Sequence, residues 1–154
     1  MIVGYHVDET LESVGAIKAL QRAINKSEVN LEGLIHHSDR GVQYCSGNYV
    51  ELLKKHEIEI SMTENGDPLE NPIAERVNGI LKSEYLIDEE VSSIKQARIV
   101  LDRAIELYNT ERPHMSISNY APQQVHENAT KIEPERLWKN YYKVRPKAEQ
   151  ERVF

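Results

Sequence analysis

The chain has 154 residues, with 40% apolar and 29% charged, enough apolar content for one buried core and too much for a disordered chain. No apolar run approaches the ~18–20 residues of a membrane span, the first eight residues lack the pattern of a secretory signal, and the single cysteine, Cys45, excludes an internal disulfide, so a reducing cytoplasm is the expected compartment. Nineteen basic against twenty-five acidic residues give a net charge of −6, the wrong sign for a module that holds nucleic acid unaided, although acidic metal ligands and a basic patch can occupy different faces.

Residues 2–7 alternate Val3, Tyr5 and Val7 against Ile2, Gly4 and His6, which predicts a short strand. Thr10 stands where an N-cap would open a helix reaching about Asn25, with Val14, Ile17, Leu20 and Ile24 on its buried side. Leu34 to Ser38 reads as a second strand ending at Asp39. Ser46 can cap a helix that buries Tyr49, Val50, Leu52 and Leu53 and ends near His56. Ile58–Met62 alternates as a third strand.

The loop at 63–70 contains Asn65-Gly66 and Asp67-Pro68, both breaker signals. Asn71 before Pro72 predicts a helix start, and Ile73, Val77, Ile80 and Leu81 give that helix one apolar face. A longer helix is expected from about Ser93 to Asn109, and a short one from Pro122 to Asn128. Residues 130–154 read as a charged tail with Trp138, Tyr141 and Tyr142. Strands alternating with helices predict an α/β domain.

Asp39 follows a strand and Glu75 lies early in a helix, with thirty-five residues between them. A strand-end carboxylate facing a helical one can hold a divalent cation for phosphoryl chemistry, because Mg²⁺ takes one or two protein carboxylates and completes its shell with water and substrate phosphate. At helical spacing Lys82 falls on the face of Glu75, opposite the apolar stripe, where it can meet a phosphate as a point charge. Such a spacing is common by chance in so acidic a chain. Taken singly, Asp39 is a turn-forming carboxylate, Glu75 a helix-dipole residue and Lys82 a solvated lysine. His36 and His37 have no third residue at zinc-ligand spacing, and Tyr44, Tyr49, Tyr108 and Trp138 read as packing residues.

Three ordered motifs give the spacing its context. His37-Ser38-Asp39-Arg40-Gly41-Val42-Gln43-Tyr44 is one. Asn71-Pro72-Ile73-Ala74-Glu75-Arg76-Val77-Asn78-Gly79-Ile80-Leu81-Lys82, preceded by Ser61-Met62-Thr63, is the second. Tyr108-Asn109-Thr110-Glu111-Arg112-Pro113-His114 is the third. Together they resemble the signature of the IS3-family insertion-sequence transposases, members of the retroviral-integrase-like DDE superfamily, over residues 2 to about 125.

The resemblance implies a ribonuclease-H-like α/β integrase core lacking its first strands, with C-terminal helices. It divides the chain into a partial catalytic core, 1–125, and a charged tail, 126–154. It makes Asp39 and Glu75 the second and third members of a catalytic, metal-holding triad for Mg²⁺ or Mn²⁺, and Lys82 the basic residue after the glutamate. The first member lies upstream of the segment that opens this chain, and Asp8 is not its substitute. Arg40 is expected at DNA; Arg112 and His114 either contact DNA or pack the C-terminal helix, and His37 either orients the turn around Asp39 or reaches DNA. Basic residues usual after Ser61-Met62 are replaced here by Glu64-Asn65-Gly66.

The implied activity is transposition: metal-dependent cleavage of phosphodiesters and transfer of the freed 3′ end to target DNA, in a bacterial, nucleoid-associated setting and without a membrane. DNA and further copies of the chain are the implied partners. The alternatives are an inactive remnant and a non-enzymatic module that pairs with a full-length transposase. Without its first strands the chain is expected to cleave weakly or not at all, and to self-associate through an open sheet edge.

Overall fold

Leu53, with no exposed surface, is the centre from which the first half of the molecule is built. The computed structural model describes residues 1–27, 29–64, 70–87, 89–129 and 131–132. Helix α1 (Ser13–Lys26) turns Ala16, Ile17, Leu20 and Ile24 onto Tyr49 and Leu53 of α2 (Gly47–Lys55), with Ile58 closing the cluster. Truncating Leu53 to alanine at such a site costs about 2–5 kcal/mol. Val14 is only at the margin of this stripe and stays 39% exposed.

Strands β1 (Ile35–Ser38) and β2 (Glu59–Met62) flank α2 in sequence and pair in parallel, as a crossover through a helix requires. The register sets Ile35 opposite Glu59, His36 opposite Ile60, His37 opposite Ser61 and Ser38 opposite Met62. With a side-chain period of two, His36 and Ser38 share one face and Ile35 and His37 the other. The first face packs on α2: the His36 ring lies edge-on to Tyr49, whose hydroxyl is 3.0 Å from His36 Nε2. Burial pushes the Tyr49 hydroxyl up to about 12 and lowers His36 below its ordinary value, so both partners of this hydrogen bond favour their neutral forms.

The second half forms around α4 (Ile94–Thr110), where Ala104, Ile105 and Tyr108 are buried with Ile80 of α3 (Pro72–Ile80). Ser93 caps α4 by accepting from the Gln96 N–H at 3.2 Å. Helix α5 (Pro122–Glu127) packs back on α4, and Gln124 Oε1 accepts from the Ala121 N–H at its start. Trp138, Tyr141 and Tyr142 lie outside the described residues, as does most of the expected tail. No helix among the described residues is long and apolar enough to cross a membrane.

Several local expectations are corrected. Residues 2–7 form no strand: no strand backbone among the described residues pairs with them, and side chains take up their backbone groups instead. Arg22 donates to Tyr5 O at 2.9 Å, and Asn109 holds Ile2 from both sides. Gly4 lies against the backbone of α1, where an added Cβ would stand 2.7 Å from Ala23 Cβ. Thr10 is not the cap of α1, whose N-cap position is Glu12; Ser46 and Asn71 occupy N-cap positions without capping through their side chains, Ser46 donating to Gln43 O instead.

The α3 helix also does not run on unbroken to Lys82. Leu81–Tyr85 forms a π turn, closed by the Leu86 N–H to Leu81 O at 3.0 Å. Ser83 Oγ donates to Gly79 O at 2.9 Å, sharing the acceptor that the regular ladder would give to the Ser83 N–H.

Candidate active site

Asp39 leaves the end of β1 into a tight turn. Its Oδ1 accepts from the Gly41 N–H at 2.8 Å, which fixes the carboxylate beside the strand end. A Cβ on Gly41 would stand 2.9 Å from that same oxygen, so a side chain there would displace the carboxylate. The Tyr44 N–H closes the next turn onto Gly41 O at 2.9 Å. Burial, and then the charge of Asp39, raise the Tyr44 hydroxyl above its ordinary value, so the ring lies within reach of that charge. Asp39 and Arg40 are both exposed.

Glu75 projects from the first turn of α3 and is exposed, where a carboxylate also complements the helix N-terminus. Pro72 starts this helix at a position whose N–H would otherwise be unsatisfied. The link between β1 and α3 is His37. Its Nδ1 lies 2.9 Å from Ser61 Oγ on β2, and its Nε2 lies 3.0 Å from Glu70 O, just ahead of α3. A carbonyl only accepts, so Nε2 carries the proton and donates to Glu70 O. Glu70 Oε2 in turn accepts from the Glu64 N–H at 2.6 Å, closing the neck of the loop between β2 and α3.

Lys82 is exposed in the π turn. The π turn itself has no signal in the apolar periodicity. Arg112 does not stand free. Its Nε and Nη2 each lie 2.7 Å from a carboxylate oxygen of Glu84, a bidentate pair that ties the end of α4 to the π turn. That hydrogen bonding holds Glu84 below its ordinary value and raises Arg112.

The His114 ring packs edge-on against Tyr108, with centroids 5.1 Å apart, and its backbone bridges to Tyr120. Burial lowers its pKa, helped by the charges of Arg112, Arg76 and the N-terminal ammonium. Within the third motif Tyr108 and Asn109 are buried, Arg112 clamps Glu84 and His114 covers Tyr108. Glu84 and Asn109 had no assigned role from sequence; their partners stand 28 and 107 residues away, beyond any local pattern.

Asp8 sits just ahead of α1, with Lys18 Nζ 3.4 Å and His6 Nε2 3.3 Å from its Oδ2. Among the described residues no group of three His, Cys, Asp or Glu side chains could hold a metal ion. Asp39 and Glu75 are each exposed carboxylates, Asp39 with one oxygen already oriented by a backbone N–H, and oxygen donors of this kind suit a hard cation of the Mg²⁺ type, which takes one or two protein carboxylates and keeps several waters.

Two family models, both described as integrase core domain, match this chain, one at residues 1–68 and the other at 56–122. The chain is 34% identical over 127 residues to the insertion element IS600 uncharacterized 31 kDa protein of Shigella sonnei, covering 82% of this chain and 46% of that protein. It is 31% identical over 124 residues to the transposase InsF for insertion sequence IS3A of Escherichia coli, covering 80% and 43%. The chain thus spans less than half the length of these curated relatives. Among solved structures, the catalytic core domain of the HTLV-2 integrase, in a trimeric form in complex with magnesium, superimposes with a TM-score of 0.54 at 22% identity, over 75% of this chain and 70% of that one. That likeness fixes the fold as the ribonuclease-H-like α/β type. With the motifs in order, the turn around Asp39 and the entry of α3 joined through His37, and both integrase-core matches running from residue 1 to residue 122, the chain belongs to the integrase-core family of IS3-type insertion-sequence transposases.

Proposed function

We propose that this chain supplies part of the catalytic core of a transposase, in which Asp39 and Glu75 together hold a divalent cation, Mg²⁺ or Mn²⁺, against a DNA phosphodiester. The observation that carries the reading is the His37 bridge, which ties the element bearing Asp39 to the entry of the helix bearing Glu75. The magnesium in the HTLV-2 integrase core and the transposase names of the relatives support it.

When bound, the cation would stabilise the charge that develops on the attacking and leaving oxygens of an in-line displacement. The protein's own part is to position. Gly41 N–H fixes one oxygen of Asp39, leaving its remaining lone pairs for the cation. Glu75 stands in the first turn of α3, where a carboxylate complements the helix N-terminus. Arg40 and Lys82, both exposed, are the proposed phosphate contacts, which hold the backbone without reading sequence. Arg112 acts at one remove, by holding through Glu84 the π turn that carries Lys82, and His114 packs beside it on Tyr108. DNA and further copies of the chain are the proposed partners, and with a net charge of −6 the cation is what draws a phosphate to this surface.

The test is fluorescence anisotropy of a labelled DNA duplex titrated with the chain, in Mn²⁺ and in EDTA. Binding should tighten in Mn²⁺, and Glu75→Gln should abolish that gain. Binding that ignores both Mn²⁺ and Glu75→Gln would contradict the reading.

A further inference from the structure

The His37 side chain makes hydrogen bonds to both β2 and the neck of the loop before α3. It lies two residues before Asp39 in sequence, and its acceptor, Glu70 O, lies five before Glu75. The strand pair fixes the other end of this link, because His37 stands opposite Ser61 in the β1–β2 register. We infer that His37 is a positioning residue: its ring is a strut that sets the first turn of α3, and with it the Glu75 carboxylate, at a fixed distance from Asp39.

The inference rests on the metal-holding reading above and deepens it by naming what holds the two ligands in place. The chemistry suits the task. An imidazole has two polar atoms at opposite edges of a rigid ring, so one side chain reaches a hydroxyl on one element and a carbonyl on another without the rotamer freedom of a longer chain. The second contact on the neck, Glu64 N–H to Glu70 Oε2, fixes the loop base, and the adjoining Thr63 N–H to Ser38 O ties that base to the end of β1; the His37 ring adds to this main-chain route a side-chain link that reaches the residue before α3 directly. His37 is also exposed, so its removal leaves little unfilled core.

The experiment compares wild type, His37→Phe, His37→Gln and Glu75→Gln in the full chain. His37→Phe keeps the ring and removes both hydrogen bonds, whereas His37→Gln keeps a donor for Glu70 O. Mn²⁺ affinity is read by electron paramagnetic resonance of the free ion, thermal stability by circular dichroism, and the His37 tautomer by nitrogen-detected magnetic resonance. The wild-type ring should carry its proton on Nε2. His37→Phe should weaken Mn²⁺ about tenfold, the low end for supporting residues of a metal site, at temperatures where the chain is fully folded. His37→Gln should recover most of that loss. An affinity that falls in Glu75→Gln yet holds in His37→Phe overturns the inference alone. An affinity indifferent to Glu75→Gln overturns the metal-holding reading, and the inference with it.

Discussion

Asn109 and Ile2 exchange two hydrogen bonds across 107 positions: the Ile2 N–H donates to Asn109 Oδ1 at 2.8 Å, and Asn109 Nδ2 donates to Ile2 O at 3.0 Å. A buried carboxamide on α4 thus does for the first segment what a neighbouring strand would do, satisfying both of its backbone groups. Asn109→Ala leaves a part-buried donor and acceptor unpaired, and should cost about 1–3 kcal/mol in urea unfolding. Asn109→Asp should not rescue it, since a carboxylate faces Ile2 O with no donor. Unchanged midpoints in both variants would show that the first segment is held by other means.

Gly4 makes a second prediction about the same segment. Replacing it with alanine drives a methyl group into the backbone of α1 beside Ala19 and Ala23, where no flexible side chain can give way. The segment should lift, at a cost of about 1–3 kcal/mol typical of overpacking. Amide exchange of residues 2–5 should accelerate while that of α2 and β1 changes only with global stability. Equal protection in the variant would mean that the approach is less close.

The Arg112–Glu84 pair is partly exposed, with 19% and 43% of the side chains accessible, so its worth is discounted for solvent screening. A double-mutant cycle with Arg112→Ala and Glu84→Ala should give a coupling of about 0.5–1 kcal/mol, and Arg112→Lys should lose most of it because an ammonium cannot match both oxygens. If Lys82 is positioned through this clamp, Glu84→Ala should weaken Mn²⁺-dependent DNA binding as well. A clamp whose loss leaves DNA binding unchanged would place Lys82 outside the interface.

His36 gives the pH dependence. Burial lowers its pKa from the usual 6.5, and beside it stand Tyr49, Tyr44 and the neighbouring His37. Below 6.5 the unfolded chain therefore takes up more protons than the folded one, so stability is full above that pH and declines as pH falls through it. His114 acts in the same direction. Glu84, held below its ordinary 4.5, adds its loss only at more acidic pH. Urea midpoints should drop between pH 7.5 and 5.5, and His36→Gln should flatten that slope without abolishing it. An undiminished slope in the variant would assign the effect elsewhere.

The helices and both observed strands were legible because their signals are local: periodic apolar residues in α1 and α4, Pro72 after Asn71, alternation over 58–62. Residues 2–7 carry the same alternation, yet a strand also needs a partner backbone, which no local pattern encodes. The π turn escaped because it arises from Ser83 bonding back to Gly79 O, a competition that leaves the hydrophobic pattern intact. At the site, Asp39, Glu75 and Lys82 were marked by their motifs. The contacts of Arg112 and His114 are not legible locally, because their partners, Glu84 and Tyr108, lie outside any short pattern that joins them. The link from His37 to Glu70 O runs to a backbone atom, and a backbone acceptor has no letter in the sequence.

The proposed convergence of Asp39 and Glu75 on one cation is tested most directly by iron-mediated cleavage of the polypeptide. Fe²⁺ bound in place of Mg²⁺, with ascorbate and peroxide, cuts the backbone next to its ligands. The account predicts two cuts in the wild-type chain, one around residue 39 and one around residue 75, both suppressed by excess Mg²⁺ and both lost together in Glu75→Gln and in Asp39→Asn. Cutting at only one of these positions, or a cut at residue 39 that survives Glu75→Gln, would contradict it.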